Sequence, residues 1–334
     1  MRIIIPMAGA GKRMRPHTLT VPKPLIAVAG KPIVQWLVED LIKTCKEKVT
    51  EIAFVIGDFG KEAEENLLKI AAGLGATGKI YYQDEPLGTA HAILCAKETL
   101  KGKVIVAFAD TLFRADFTMD EEKEGIIWVN KIEDPKMFGV VKVNKENVIT
   151  DFVEKPATFV SDLAIIGIYY FKDGEYLRKE MQYLVDNNIR EKGEYQLTNA
   201  LENMKNNGTK FIPGKVTEWL DCGNKDATVY TNKRVLEMHR NENMISSSVN
   251  NQNSVIVEPC FIGDQVELKN SVIGPYASIG ANSKIESSVI SNSIIQANSK
   301  INYGVTDNSM IGNFVEYKSK PDQLSLGDYS TSGS

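Results

Sequence analysis

Within its first dozen residues the chain passes from an apolar strand into a cationic loop. Arg2-Ile3-Ile4-Ile5-Pro6 has a buried-strand pattern, and it breaks at Ala8-Gly9-Ala10-Gly11. Glycine lets backbone N–H groups approach phosphate oxygens closely, so a glycine-rich turn after a first strand points to phosphate binding. Two widespread versions are excluded. A dinucleotide fingerprint GxGxxG needs glycine where Met14 stands, and a Walker A loop needs glycine at Pro6 and Ser or Thr at Arg13. What remains is Gly9-Ala10-Gly11-Lys12-Arg13-Met14-Arg15-Pro16, followed by Pro22-Lys23-Pro24-Leu25. A hinged loop of this kind can wrap a triphosphate, with Arg13 as a planar fork and Lys23 as a point charge. By composition alone, a solvated basic loop fits the same residues.

Other reactive types are sparse. Histidines stand at 17, 91 and 239, and cysteines at 45, 95, 222 and 260 with no CxxC pair. That argues against a zinc site or a disulfide framework and fits a reducing compartment. Lys+Arg 39 against Asp+Glu 43 leaves a net charge of −4, so no overall basic field is available to hold a nucleic acid. No apolar run reaches the length of a membrane span, and the first one is too short for a secretory leader. The expectation is a cytoplasmic protein with no nucleic-acid or membrane partner.

The elements that must position these residues alternate in type. Val34, Leu37, Val38, Leu41, Ile42 and Cys45 recur at helical spacing, Glu51–Ile56 reads as a strand and Lys61–Ala72 as a helix. Lys79–Gln83 is the next strand, Ala90–Leu100 the next helix, and Val104–Ala109 a strand ending on Asp110. Strand–helix alternation predicts a mainly parallel sheet covered on both faces. From 126 to 171 consecutive strands follow, then helices from Glu175, from about Tyr195 and over Lys225–Arg240, with an extended stretch Phe211–Leu220.

Beyond a serine- and asparagine-rich joint at 241–252 the chain becomes periodic. Ile256, Ile262 and Leu268 are six apart, and Ile273, Ile279, Ile285, Ile290, Ile295 and Ile301 continue in steps of five or six. One aliphatic residue per hexad suits a β-solenoid of about three coils, each burying the aliphatic row of the next. The division expected is a first domain over 1–240, a solenoid over 253–316 and a polar tail over 317–334.

AGAGKRMRPHTLTVPKPL resembles the signature loop of the sugar-phosphate nucleotidylyltransferases, usually GGxGTRLxPxTxxxPKxL. Ala8 replaces the first glycine and Lys12 the usual threonine, and neither change removes a backbone donor. Gln83-Asp84-Glu85-Pro86-Leu87-Gly88-Thr89-Ala90-His91-Ala92 is similar to the family's base-reading segment. Asp110, Phe138-Gly139-Val140-Val141, Glu154-Lys155-Pro156, Gly193-Glu194-Tyr195 and Trp219-Leu220-Asp221-Cys222-Gly223 match further motifs in order. The resemblance implies a Rossmann-like mixed-sheet α/β nucleotidyltransferase core followed by a short left-handed β-helix of hexapeptide repeats.

It also implies a reaction in which a sugar 1-phosphate attacks the α-phosphorus of a nucleoside triphosphate and releases pyrophosphate. A phosphate monoester with its second pKa near ~6 is already anionic, so no general base is required. The implied site assigns Ala8, Gly9, Gly11, Arg13, Gln83, Gly88 and Thr89 to the nucleotide. Gly139, Glu154, Lys155, Gly167 and Glu194 go to the sugar phosphate, with Tyr169 as core or pocket wall. Arg13, Lys23, Lys155 and Asp110 carry the catalysis, and Asp110 with Asp221 holds Mg²⁺. Taken singly, Asp110 also suits a turn cap and Asp221 an ion pair. Glu154 and Lys155 are sequence neighbours, and share a site only if the strand ends there, as Pro156 suggests.

A side-chain amide at Gln83 offers donor and acceptor, which suits the edge of uracil or thymine. Members of the family that use GTP generally show Glu near this position, so the resemblance favours UTP or dTTP over GTP. Thr89 is closer to the uridylyl version. The acceptor implied is a sugar 1-phosphate, glucose 1-phosphate by resemblance. Alternatives are an N-acetylglucosamine-1-phosphate uridylyltransferase, a mannose-1-phosphate guanylyltransferase, and a non-catalytic nucleotide-sugar-binding subunit. An acetyltransferase solenoid generally needs a histidine base, and residues 241–334 contain none. The solenoid is therefore read as an assembly or regulatory element, with a homo-oligomer through core or β-helix expected.

Overall fold

A computed structural model describes residues 1–114 and 117–331. The chain divides into two compact units, Met1–Ile26 with Lys31–Ala227, and Ala27–Gly30 with Thr228–Ser334.

The first unit is built on strands β1 (Arg2–Pro6), β2 (Glu51–Ile56), β3 (Thr77–Tyr82) and β4 (Val104–Ala107). They lie parallel in the order β4-β1-β2-β3. Helices α1 (Ile33–Thr44), α2 (Lys61–Gly73) and α3 (Thr89–Cys95) make the connections. After the short strand β5 (Thr111–Arg114), β6 (Gly125–Lys131), β7 (Val140–Val143), β8 (Ile149–Val153) and β9 (Leu163–Phe171) extend the sheet. β9 runs antiparallel to β4, β6 and β7, so the sheet is mixed. β10 (Phe211–Lys215) adds to β6 in parallel, and β11 (Glu218–Asp221) pairs with β5 outside the large sheet. Helices α4 (Gly174–Asp186) and α5 (Leu197–Asn206) carry apolar faces into the core, and Leu177, Met181, Leu184, Leu201 and Met204 are buried there. The core strands read as unbroken aliphatic runs because helices cover both faces.

Two elements depart from the sequence expectation. α3 stops at Cys95, well before Leu100, and the chain turns to bury Ala96, Thr99 and Leu100. The Thr99 hydroxyl donates to Glu51 Oε1 at 2.5 Å, a tertiary contact that apolar spacing does not reveal. β5 was not expected as a strand; its partner lies about 100 residues on, and pairing at that range leaves no local signature.

In the second unit, α6 (Lys225–Met238) ends and three parallel ladders follow, of five, four and four strands, between Asn250 and Lys318. Ile262 pairs with Ile279 and Ile279 with Ile295, steps of 17 and 16 residues. The interior is a column of Ile262, Leu268, Ile273, Ile279, Ile285, Ile290, Ile295 and Ile301, the aliphatic rows of the expected left-handed β-helix. It makes about four coils instead of three. Asn250–Gln252 and Glu316–Lys318 stack in register with polar or aromatic residues at the interior rows, so hexad counting passes over them. Asn253, Asn270, Asn282, Asn292, Asn298 and Asn308 take positive φ at the corners, which explains the asparagine-rich composition. Among the described residues no helix is long and apolar enough to cross a membrane, and all four cysteines are free thiols.

Candidate active site

The loop after β1 folds back on itself. Gly11 adopts φ +57°, and a Cβ there would stand 3.0 Å from Thr18 Cγ2 and 3.1 Å from Lys23 Cβ. Thr18 Oγ1 donates to the Gly11 carbonyl at 2.9 Å, closing the loop. Three short 3-10 turns, Lys12–Met14, His17–Leu19 and Lys23–Leu25, hold the rest, with Met14 fully buried as the anchor. The closure brings Lys23, itself only 8% exposed, to Asp110, with Nζ 3.1 Å from Oδ2.

Asp110 follows β4, and its place is set from two sides. Phe108 N–H donates to the carbonyl of Gly167, which sits in the register shift of β9 with φ +83°. Cys222 N–H donates to the Asp110 carbonyl at 2.9 Å, and Asp221 pairs with Thr111. The small β5–β11 sheet therefore brings the two aspartates together. Burial and the nearby Asp110 charge push the Asp221 carboxyl above the usual range, while Lys23, a Gly223 N–H and Arg13 pull the other way.

Two cavities adjoin here. The first, about 420 Å³, is lined by Ala8, Gly9, Gly11, Arg13, Lys23, Gln83, Gly88, Thr89, Asp110 and Glu194 among others. The second, about 330 Å³, is lined by Gly139, Glu154, Lys155, Gly167, Tyr169, Asp221, and again Arg13, Thr89, Asp110 and Glu194. Every site residue expected from the sequence lines one or both. β8 ends at Val153 and Lys155 turns with φ +42°, so Glu154 and Lys155 leave the strand alternation and line the same cavity.

Gly88 opens α3 with φ +112° against the backbone of Tyr195. Tyr195 N–H donates to Leu87 O, and Ala90 N–H to Tyr195 O. Thr89 Oγ1 donates to Gln196 Oε1 and accepts from Leu197 N–H, so α3 and α5 are clasped where the cavities meet.

Several residues of the site were passed over in the sequence. Thr198 Oγ1 donates to Glu154 Oε2 at 3.3 Å, and Gln196 Nε2 donates to Glu194 Oε2 at 3.0 Å, so both acids are held by the start of α5. Phe138 and Trp219 pack edge to face at 5.2 Å in the second cavity, and among the described residues the buried Trp219 Nε1 finds no hydrogen-bond partner. The usable signal was motif membership, since Phe138 and Trp219 stand beside Gly139 and Asp221. For Gln196 and Thr198 no such signal exists.

Among the described residues no group of three or more His, Cys, Asp or Glu is arranged to hold a metal. Asp110 and Asp221 nevertheless fit a hard divalent cation. Two hard oxygen donors that repel one another favour such an ion, and Mg²⁺ commonly takes one or two carboxylates with phosphate and water oxygens.

A family model described as Nucleotidyl transferase matches residues 2–238. The chain belongs to the nucleotidyl transferase family, and within it is a sugar-phosphate nucleotidyltransferase. It is 30% identical to the low-salt glycan biosynthesis nucleotidyltransferase Agl11 of Haloferax volcanii, over 88% of this chain and 87% of that one. It is 29% identical to a glucose-1-phosphate thymidylyltransferase of Streptomyces antibioticus, over 89% and 87%. Among solved structures, a UDP-glucose pyrophosphorylase complexed with UDP-glucose superposes with a TM-score of 0.58 at 22% identity, covering 71% of this chain and 98% of that one. A UDP-glucose pyrophosphorylase from Acinetobacter baumanii gives 0.57 at 21%, covering 71% and 94%. These two likenesses are of fold.

Proposed function

We propose that this enzyme transfers the nucleotidyl group of UTP or dTTP to a sugar 1-phosphate, with glucose 1-phosphate as first candidate, giving a nucleotide sugar and pyrophosphate. The observation that carries the reading is the pair of adjoining cavities with Arg13, Thr89, Asp110 and Glu194 in their common wall. One has a glycine loop, three cations and a side-chain amide, which suits a nucleoside triphosphate. The other has a carboxylate beside an ammonium, which suits a sugar phosphate. A relative named for thymidylyl transfer to glucose 1-phosphate supports the donor and acceptor classes. Another, the bifunctional protein GlmU of Methanococcus vannielii, is 29% identical over 87% of this chain and 73% of that one, so the panel of acceptors to try extends beyond glucose 1-phosphate.

In this mechanism Gly9 and Gly11 present backbone N–H groups to the triphosphate, and Arg13 bridges the α-phosphate and the departing pyrophosphate. Lys155 neutralises the sugar phosphate and Lys23 offsets charge beside Asp110. Glu154 and Glu194 accept hydroxyl bonds from the sugar, and Thr198 and Gln196 hold those acids in place. An oxygen of the sugar phosphate attacks the α-phosphorus as the bond to the β-phosphate oxygen breaks, and pyrophosphate leaves with that electron pair. No proton is transferred, so no residue acts as base. Asp110 and Asp221 are the ligands proposed for Mg²⁺, which when bound would neutralise phosphate charge.

The test is pyrophosphate release from the four ribonucleoside triphosphates and dTTP, each with a panel of sugar 1-phosphates and Mg²⁺. Turnover confined to UTP or dTTP is expected. Folded protein that releases none with any pair would sink the reading.

A further inference from the structure

Behind the wall of the first cavity a hydrogen-bond relay runs from loop 83–88 to α3, and its polarity is fixed. The side-chain nitrogen of Gln83 lies 3.2 Å from the Gly88 carbonyl oxygen and 3.2 Å from His91 Nδ1. A backbone carbonyl can only accept, so the amide must turn its NH₂ toward Gly88. The same NH₂ then faces Nδ1, which must supply a lone pair. His91 is therefore neutral, with its proton on Nε2. Both amide hydrogens are engaged, and the Gln83 oxygen is the atom left for a ligand. Gln83 lines the cavity; His91 does not.

We propose that His91 is a positioning residue for base selection: it holds Gln83 with its oxygen forward, so the site takes a base that donates an N–H there and refuses one that presents a lone pair. The proposal rests on the reading of this cavity as the nucleotide site. Uracil and thymine carry N3–H, whereas cytosine has a bare nitrogen at the same ring position. A freely pivoting amide would meet either edge. One pinned at both hydrogens meets only the donor, and the lone pair of cytosine would face the glutamine oxygen.

The relay also has an acid limit. A protonated His91 turns Nδ1 into a donor, two donors then face each other, and Gln83 gives up one contact. Burial lowers the pKa of His91, and Glu85 on the same loop offsets this in part. Among the described residues Glu85 is the charged group acting on His91, while Asp84 acts on Cys95 one turn along α3. The neutral relay therefore holds at neutral pH and fails on the acid side.

The experiment compares full-length wild type, His91→Leu and His91→Asn. Initial rates are measured with UTP, dTTP and CTP between about pH 5 and 8. Losing one neutral hydrogen bond predicts that His91→Leu raises KM for UTP or dTTP about three- to ten-fold, and narrows the preference over CTP by a similar factor. Its kcat with UTP stays within about two-fold, because no bond is lost in the transition state alone. His91→Asn offers an oxygen where Nδ1 stood and does not titrate. It restores KM and base preference, and lacks the extra acid rise in KM that wild type shows beyond the titration of the phosphates. Wild-type KM, base preference and acid limb in His91→Leu would overturn the positioning role and leave the nucleotide site standing. So would a fall in kcat with KM and preference unmoved. Wild type that turns over no pyrimidine triphosphate would overturn both readings. Should His91→Leu fail to fold, the pH profile of His91→Asn still decides.

Discussion

Asp221 carries the electrostatic tension of the site. Its carboxyl is half-buried and faces the charge of Asp110, a combination that disfavours its charged form in the unliganded protein. A pair kept for folding alone would be better replaced by a neutral group. Asp110→Asn and Asp221→Asn are therefore expected to lower pyrophosphate release by orders of magnitude. Asp221→Asn should leave thermal unfolding within about 1 kcal/mol of wild type, whereas Asp110→Asn also takes the ion-pair partner from the nearly buried Lys23 and should cost about 1–3 kcal/mol. Differential scanning calorimetry beside a turnover assay checks both halves, and full activity in either variant removes that residue from the metal role. At this scale the sequence was informative where a residue type is rare in its setting, such as Arg13 and Lys23 on a glycine-hinged loop. It was silent on companions. Thr198 beneath Glu154 and Gln196 beneath Glu194 are ordinary helix residues until the fold sets them there. Gln83 shows the same limit from the other side. Its type offers donor and acceptor, and only the structure shows that the donors are already engaged.

Elements decide whether those residues meet. The parallel half of the sheet was legible because buried strands between helices read as aliphatic runs, and β1, β2 and α1 fall where the pattern placed them. The pairing of β5 with β11, which joins Asp110 to Asp221, was not legible, because register between distant segments is a property of the packed sheet. The clasp at the start of α3 is equally non-local. Gly88 combines φ +112° with a position where a Cβ would lie 2.5 Å from Tyr195 O and 2.7 Å from Tyr195 N. Neither neighbour is a side chain able to swing aside. Gly88→Ala should destabilise the protein by about 1–3 kcal/mol, the usual cost of forcing atoms into packed structure. It should also shift the Glu194–Thr198 segment that serves both cavities. KM for nucleotide and for sugar phosphate should then rise together. A rise in nucleotide KM alone, with stability unchanged, would mean that Gly88 matters only through direct contact with the nucleotide.

For the molecule as a whole the repeat pattern was the plainest signal, since each aliphatic row stacks on the one before. What it did not show is that Ala27–Gly30, just past the Lys23–Leu25 turn, groups with the solenoid unit. Within that unit Gln296 Nε2 donates to Ala27 O at 3.0 Å, Ala29 N–H donates to Asn232 Oδ1 at 2.9 Å, and Ser278 Oγ donates to the same oxygen at 2.7 Å. The ring of Phe261 leaves no room for a Cβ at Gly30. A chain ended after Arg240 keeps every proposed site residue, yet leaves Ala27–Gly30 without Phe261 and Gln296, and Asn232 without Ser278. Each buried polar group stranded in this way costs on the order of 1–3 kcal/mol. Because residues 27–30 are covalently close to Lys23, that cost falls on the loop proposed to hold the triphosphate. The truncated chain is therefore expected to unfold several degrees below the full chain, with a raised KM for nucleotide. Asn232→Ala in the full chain should reproduce the nucleotide effect in smaller measure. Equal melting temperature and equal turnover in the truncated chain would make the first 240 residues self-sufficient, and the repeats an appendage with no hold on catalysis.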